Sequence, residues 1–114
     1  MAVVLKKADS IQTQPFDAGE GRLSLVDVVA KADGAPVSAG IAEVWAAGPI
    51  DFEYDDDCAV CYMLEGEVTL REGEQEHSFR PGDMVFIPQQ EGLVVQWNSP
   101  SYGKFLYVTY PHWR

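Results

Sequence analysis

Short hydrophobic runs recur along this chain, most of them alternating with polar residues, and nearly every run ends at a glycine or a proline. Alternation with a period of two marks a β-strand with one buried face. Residues 22–31 (RLSLVDVVAK) fit it, as do residues 40–46 (GIAEVWA), which put Ile41, Glu43 and Trp45 on one face. Residues 59–64 (AVCYML) are apolar on both faces, the pattern of a strand covered inside and out. Residues 67–71, 77–80, 84–88, 93–97 and 104–110 read as further strands. Turn residues separate them: Asp33-Gly34, Gly48-Pro49, Glu65-Gly66, Glu72-Gly73, Pro81-Gly82-Asp83 and the stretch from Asn98 to Ser101. Residues 1–21 read as an arm with one strand, of a kind that a dimer can exchange. No stretch has the length and period of a helix, and no repeat appears. The pattern predicts an all-β single domain over residues 1–114, with two packed sheets forming a jelly-roll β-barrel.

At 114 residues the chain has room for one modest core. A net charge of −10 disfavours nucleic acid and anionic membrane as partners. No apolar run reaches the eighteen or so residues of a membrane helix, and residues 1–10 lack the order of a secretory signal, so the expected compartment is the cytoplasm. Cys58 and Cys61 are spaced C-x-x-C, but no second pair follows to complete a zinc site. Three residues apart on a strand, they point to opposite faces, so the expectation is one buried thiol and one near a loop. Phosphate-binding glycine loops and a G-x-S-x-G elbow are both absent.

Residues 61–68 (CYMLEGEV), followed by Pro81-Gly82-Asp83 and Pro88, resemble the two motifs of the cupins. Within them the chain resembles the ethanolamine-utilisation cupins of the EutQ type, on Ser38-Ala39-Gly40, Tyr54-Asp55, Leu64-Glu65-Gly66, Phe86-Ile87-Pro88 and the run from Tyr107 to Pro111. Cys61-Tyr62, Trp97 and Lys104-Phe105 are also similar to the ureidoglycine aminohydrolase-type cupins. The resemblance covers about residues 38–111. It implies a jelly-roll barrel and a homodimer paired through its sheets, which suits Val60, Tyr62 and Leu64 on an outer face that needs cover. Some relatives are associated with acetate kinase activity, yet this chain offers few basic groups to steady a phosphate.

Cupins usually hold a metal with His-x-His and Glu in the first motif and His in the second. Carried onto this sequence, the Glu position falls on Ala59, the first two histidines near Glu53 and Asp55, and the last on Leu93. The usual centre is therefore not expected, and the cofactor expectation is none. Glu53 and Asp55, two apart, could still hold a divalent cation weakly. The run DFEYDDD (51–57) fails the EF-hand pattern and otherwise reads as a solvated loop.

If position 59 faces inward, as in those relatives, Cys61 and Met63 do too, and Leu93 and Trp97 face them from the second motif. Tyr54, Trp45 and Tyr107 complete an aromatic, largely apolar wall for a small-molecule ligand. Glu43 beside Trp45 would be an acid or base of raised pKa, with Tyr107 as a second catalytic candidate. Read blandly, the same side chains are core, and Glu43 is an outward strand residue paired with a lysine such as Lys104. Three functions follow in order of preference: a cupin without the usual metal that binds a small amine or acid in catabolism; an enzyme with a residual metal on Glu53 and Asp55; or an accessory dimer module without catalysis.

Overall fold

A computed structural model describes residues 3–16, 22–46 and 49–114. The turn at Gly48 and the end of the arm after Phe16 lie outside the described residues. The strands are β1 (Gln14–Pro15), β2 (Leu23–Val29), β3 (Ser38–Trp45), β4 (Ile50–Glu53) and β5 (Cys58–Gly66). They continue with β6 (Val68–Glu72), β7 (Gln75–Phe79), β8 (Met84–Ile87), β9 (Val94–Asn98) and β10 (Tyr102–Tyr110). Only single 3-10 turns, Ala8–Ser10 and Lys31–Asp33, interrupt them among the described residues. None is long and apolar enough to cross a membrane.

All pairings are antiparallel. One sheet has six strands in the order β1-β2-β3-β10-β5-β8, and the other has four in the order β4-β9-β6-β7. Their inner faces share one core, with Leu23 and Leu25 from β2, Ala42 and Val44 from β3, Val68 and Leu70 from β6, and Phe105 from β10. On β3 burial alternates strictly, and Ser38, Gly40, Ala42 and Val44 face in. β5 alternates as well, with Ala59, Cys61 and Met63 inward and Val60, Tyr62 and Leu64 outward and exposed.

The strand pattern of the sequence is recovered from β2 onward, with one addition. Residues 50–53 form β4, which pairs with β9 from Ile50↔Trp97 to Glu53↔Val94. The acidic run is thus half strand and half the loop between β4 and β5. The two cysteines also sit as expected, Cys61 buried and Cys58 half-buried, both as free thiols.

Candidate functional site

Between the sheets lies a cavity of about 240 Å³. An engineered apolar cavity of roughly 150 Å³ accommodates benzene, so this one has room for a small organic molecule. β2 and β3 contribute Leu23, Leu25, Ala42 and Val44, and β5 adds Ala59 and Cys61. Trp97 enters from β9, and β10 supplies Phe105, Tyr107 and Thr109 at every second position. β4 and the loop after it bring Ile50, Phe52, Glu53, Tyr54 and the three aspartates Asp55, Asp56 and Asp57 to the mouth. None of these lining residues is a lysine, arginine or histidine.

The aromatic wall is held by a ring stack and a hydrogen bond. Trp97 stacks on Phe105 with centroids 4.8 Å apart and planes 16° off parallel. Its indole N–H donates to the Tyr54 hydroxyl at 3.2 Å. Burial, followed by the fields of Cys61 and Asp57, holds the Tyr54 hydroxyl protonated well above the ordinary tyrosine range. Burial pushes the Cys61 thiol up to about 12, which removes it as a nucleophile and leaves a small apolar wall group.

A second cluster closes one side of the mouth. Asp27 projects from β2 just where the β2–β3 register shifts, between Asp27 and Val29. Its Oδ1 accepts from the Tyr107 hydroxyl at 2.5 Å and from the Trp113 indole at 2.7 Å, and its Oδ2 from Arg114 Nε at 2.7 Å. Burial alone would raise the Asp27 pKa, but those three donors hold it below the ordinary carboxylate value. The C-terminal residues are thereby laid over the barrel, with Trp113 against Phe16 and Phe52 at 5.7 and 6.4 Å between ring centroids. Gly40 makes this possible: a Cβ there would collide with the Val26 carbonyl oxygen and with the Tyr107 hydroxyl.

Two of the polar residues on the lining are at most 9% exposed and have no partner among the described residues. Asp57 is only 9% exposed and carries no hydrogen bond or ion pair. Burial, reinforced by the charge of Asp56, raises its pKa above the ordinary value. Thr109 is 6% exposed, and its Oγ1 is buried without a hydrogen bond.

Of the residues singled out from sequence, Tyr54, Cys61, Trp97 and Tyr107 meet at this cavity. Glu43 and Trp45 do not. They share a face as expected, but it is the outer face of the six-stranded sheet, because Ala42 and Val44 take the inner positions of β3. There Glu43 accepts from Tyr102 at 2.5 Å and from Thr13 at 2.6 Å, and Trp45 packs on Tyr102. Burial alone would raise Glu43, yet those hydrogen bonds and nearby Lys104 bring it below its ordinary value, the reverse of a poised base. Its Cα partner in β10 is Lys104, as the bland reading has it. Met63 and Leu93 are buried in the core beside the cavity and do not line it. Tyr107 lines it with its ring, while its hydroxyl proton is committed to Asp27.

Glu53 and Asp55 both reach the mouth. One Asp55 carboxylate oxygen is engaged by the Gly92 N–H at 2.7 Å, so it pins the loop before β9. Among the described residues no three His, Cys, Asp or Glu side chains converge to hold a metal ion.

Sequence reasoning missed Asp27, Phe52, Asp57, Thr109 and Trp113. For two of them the signal was present. The count of two that turns Ala59 inward also turns Asp57 inward, and the count through Phe105 and Tyr107 reaches Thr109. The other three depend on where the chain ends meet, which no local pattern encodes.

Two face-to-face antiparallel sheets around a cavity are the jelly-roll architecture found in cupins. Ectoine synthase from P. lautus shares the architecture at a TM-score of 0.80, over 96% of this chain and 79% of that one, with 16% identity. More narrowly, the family model for the ethanolamine utilisation protein EutQ matches residues 1–114, and the chain belongs to that family. Proteins named acetate kinase EutQ from Salmonella typhimurium (strain LT2) and Escherichia coli (strain K12) are 31% and 33% identical over 109 residues, 92% of this chain. The chain spans 45% and 44% of the length of those relatives. A crystal structure of an ethanolamine utilization protein q from Salmonella typhimurium LT2 superposes at a TM-score of 0.82. That match covers 92% of this chain and 83% of the other, at 27% identity.

Proposed function

We propose that this EutQ-family cupin binds a small organic cation, an amine in its ammonium form, inside the barrel and without the usual cupin metal. Asp57 carries this reading. The Asp57 carboxylate has no partner among the described residues, and its surroundings and the charge of Asp56 disfavour its ionised form, so an opposite charge brought by a ligand offsets that cost. The surrounding Tyr54, Phe52, Trp97 and Trp113 rings suit a cation through their faces. A small acid is the weaker choice, because three aspartates line the mouth and no lining residue is basic. The same charge pattern is a poor cradle for a transferring phosphoryl group. The acetate kinase activity in the relatives' names is therefore not what this cavity best supports.

Alkylammonium ions should raise the melting temperature, since a ligand that binds only the folded state stabilises it, and acetate and propionate should not. Asp57→Asn should weaken ammonium binding by about tenfold to a hundredfold, the worth of one charged hydrogen bond. The same variant should leave the ligand-free protein at least as stable at neutral pH. The sign follows from the raised pKa of Asp57: its contribution to stability is present at low pH and is lost as pH rises through the folded-state value. Ammonium binding should run the other way and strengthen over that interval. Calorimetric titration across pH checks both, and a carboxylate that bound better than any amine would reverse the assignment.

We further propose that the chain pairs with a second copy through the outer face of β5, β8 and β10. Met84 and Phe86, on edge strand β8, are 69% and 64% exposed, and Val60, Tyr62, Leu64, Leu106 and Tyr110 extend the patch. Exposed apolar surface of this kind on a sheet that ends in an open edge favours association. In light scattering the protein should weigh two chains, and Phe86→Glu should bring it to one without lowering binding in the barrel. A monomeric parent protein would end this reading.

A further inference from the structure

The unpartnered polar groups of the cavity gather at one end, and we infer that the ammonium held there is the head of a longer molecule whose body is an aromatic ring: the ligand class is an arylalkylamine. This rests on the ammonium reading above and narrows it. Strand register gives the cavity its depth. Asp57 directly precedes β5, and Thr109 of β10 lies opposite Ala59, the first buried residue of that strand. Further along β10, Tyr107 lies opposite Cys61, and Phe105 lies opposite Met63 of β5 and Ala42 of β3. From Thr109 to Phe105 the strand advances about 13 Å. Over that length the wall turns apolar, with Leu23, Leu25, Val44 and Phe105, and the hydroxyls of Tyr54 and Tyr107 are already hydrogen-bonded. A short-chain amine held at Asp57 leaves that apolar depth empty. At about 240 Å³ the cavity exceeds the roughly 150 Å³ that admits benzene, so a ring on a short chain fits. The ring also meets its own kind: the Trp97–Phe105 stack and Tyr107 present faces and edges to it, and such pairs add to what area burial supplies. The charged head stays beside Asp57 at the mouth, and only the body that water rejects is carried inside.

Amines that share a head and differ in body separate the two claims. Calorimetric titration of the full chain would compare ethylamine, 2-cyclohexylethylamine and 2-phenylethylamine. The phenyl compound should bind about tenfold to a hundredfold more tightly than ethylamine, the worth of burying one phenyl side chain. It should also bind about twofold to tenfold more tightly than its saturated analogue, the increment of aromatic contact. Cys61→Leu, which fills the space beyond the mouth from β5, should erase the preference for the ring and leave ethylamine affinity unchanged, which also reports that the variant folds. Ala42→Leu fills the same space from β3 and should do the same. Equal binding of ethylamine and 2-phenylethylamine overturns the arylalkylamine inference and leaves the ammonium reading standing. So does a saturated analogue that binds as tightly as the aromatic one, or a ring preference that survives both fillings. If no amine binds at all, both fall together.

Discussion

Trp97→Ala is expected to destabilise the fold by about 3–5 kcal/mol, in the range of large aromatic truncations in well-packed cores. Trp97 is 4% exposed and joins three elements of the barrel through its stack, its hydrogen bond and its strand pairings. It stacks on Phe105, donates to Tyr54, and lies across from Ile50 in the β4–β9 pair and from Leu70 in the β6–β9 pair. Truncation removes the stack and leaves a void joined to the cavity already there. It also takes away the donor that fixes the Tyr54 hydroxyl. Set against a total stability of about 5–15 kcal/mol, that is a third of the fold or more. The midpoint of a denaturant titration should move far down with little change in slope. Trp97→Phe keeps a ring on Phe105 and loses only the N–H, so it should cost about 1–2 kcal/mol. An alanine variant within about 1 kcal/mol of the parent protein would mean that Trp97 is not the keystone of the wall.

What the sequence made legible follows the same division between local pattern and long-range meeting. β5 could be read both ways, apolar inside and out, because each residue's face follows from its parity and from one fixed position, Ala59. β9 and β10 followed by the same count. Glu43 shows where parity stops being enough. Alternation places Glu43 with Trp45 but cannot say which face turns inward, and in the fold Ala42 and Val44 take the core. They claim it because the inner face of β3 lies close under Tyr107, where Gly40 tolerates no side chain at all. The acidic run misled for a related reason: its charges advertised solvent, while Tyr54 within it and Ile50 just before it are buried and carry it onto β9 and the loop before it. Asp27 was out of reach of any local reading. Its partners lie 80, 86 and 87 residues away in the chain.

Asp27→Ala should therefore be the second most damaging change, at about 2–4 kcal/mol, and the only one expected to loosen the mouth. The alanine leaves the Tyr107 hydroxyl buried without an acceptor, a penalty of about 1–3 kcal/mol, and strips the Trp113 indole of its partner. The Arg114 pair adds little, since its guanidinium is half exposed and screened. Asp27→Asn keeps an acceptor for Tyr107 and Trp113 and loses the charge, so it should fall between alanine and the parent protein. The charge has its own signature in pH. Because the folded-state pKa of Asp27 lies below the ordinary 3.8, its contribution is complete above that value and is lost as pH falls through the folded-state value. The stability difference between the parent protein and Asp27→Asn should thus be flat near neutrality and shrink below about pH 4. Every carboxylate common to both proteins cancels in that difference, including Asp57, whose raised pKa acts with the opposite sign. Trp113 fluorescence offers a local check, since freeing its ring from Asp27 exposes it to solvent beside Phe16 and Phe52. Ammonium binding should then weaken through faster release, as the ring that covers the mouth no longer stays in place. A pH profile of the difference that stayed level down to pH 2 would place the stabilising charge somewhere other than Asp27.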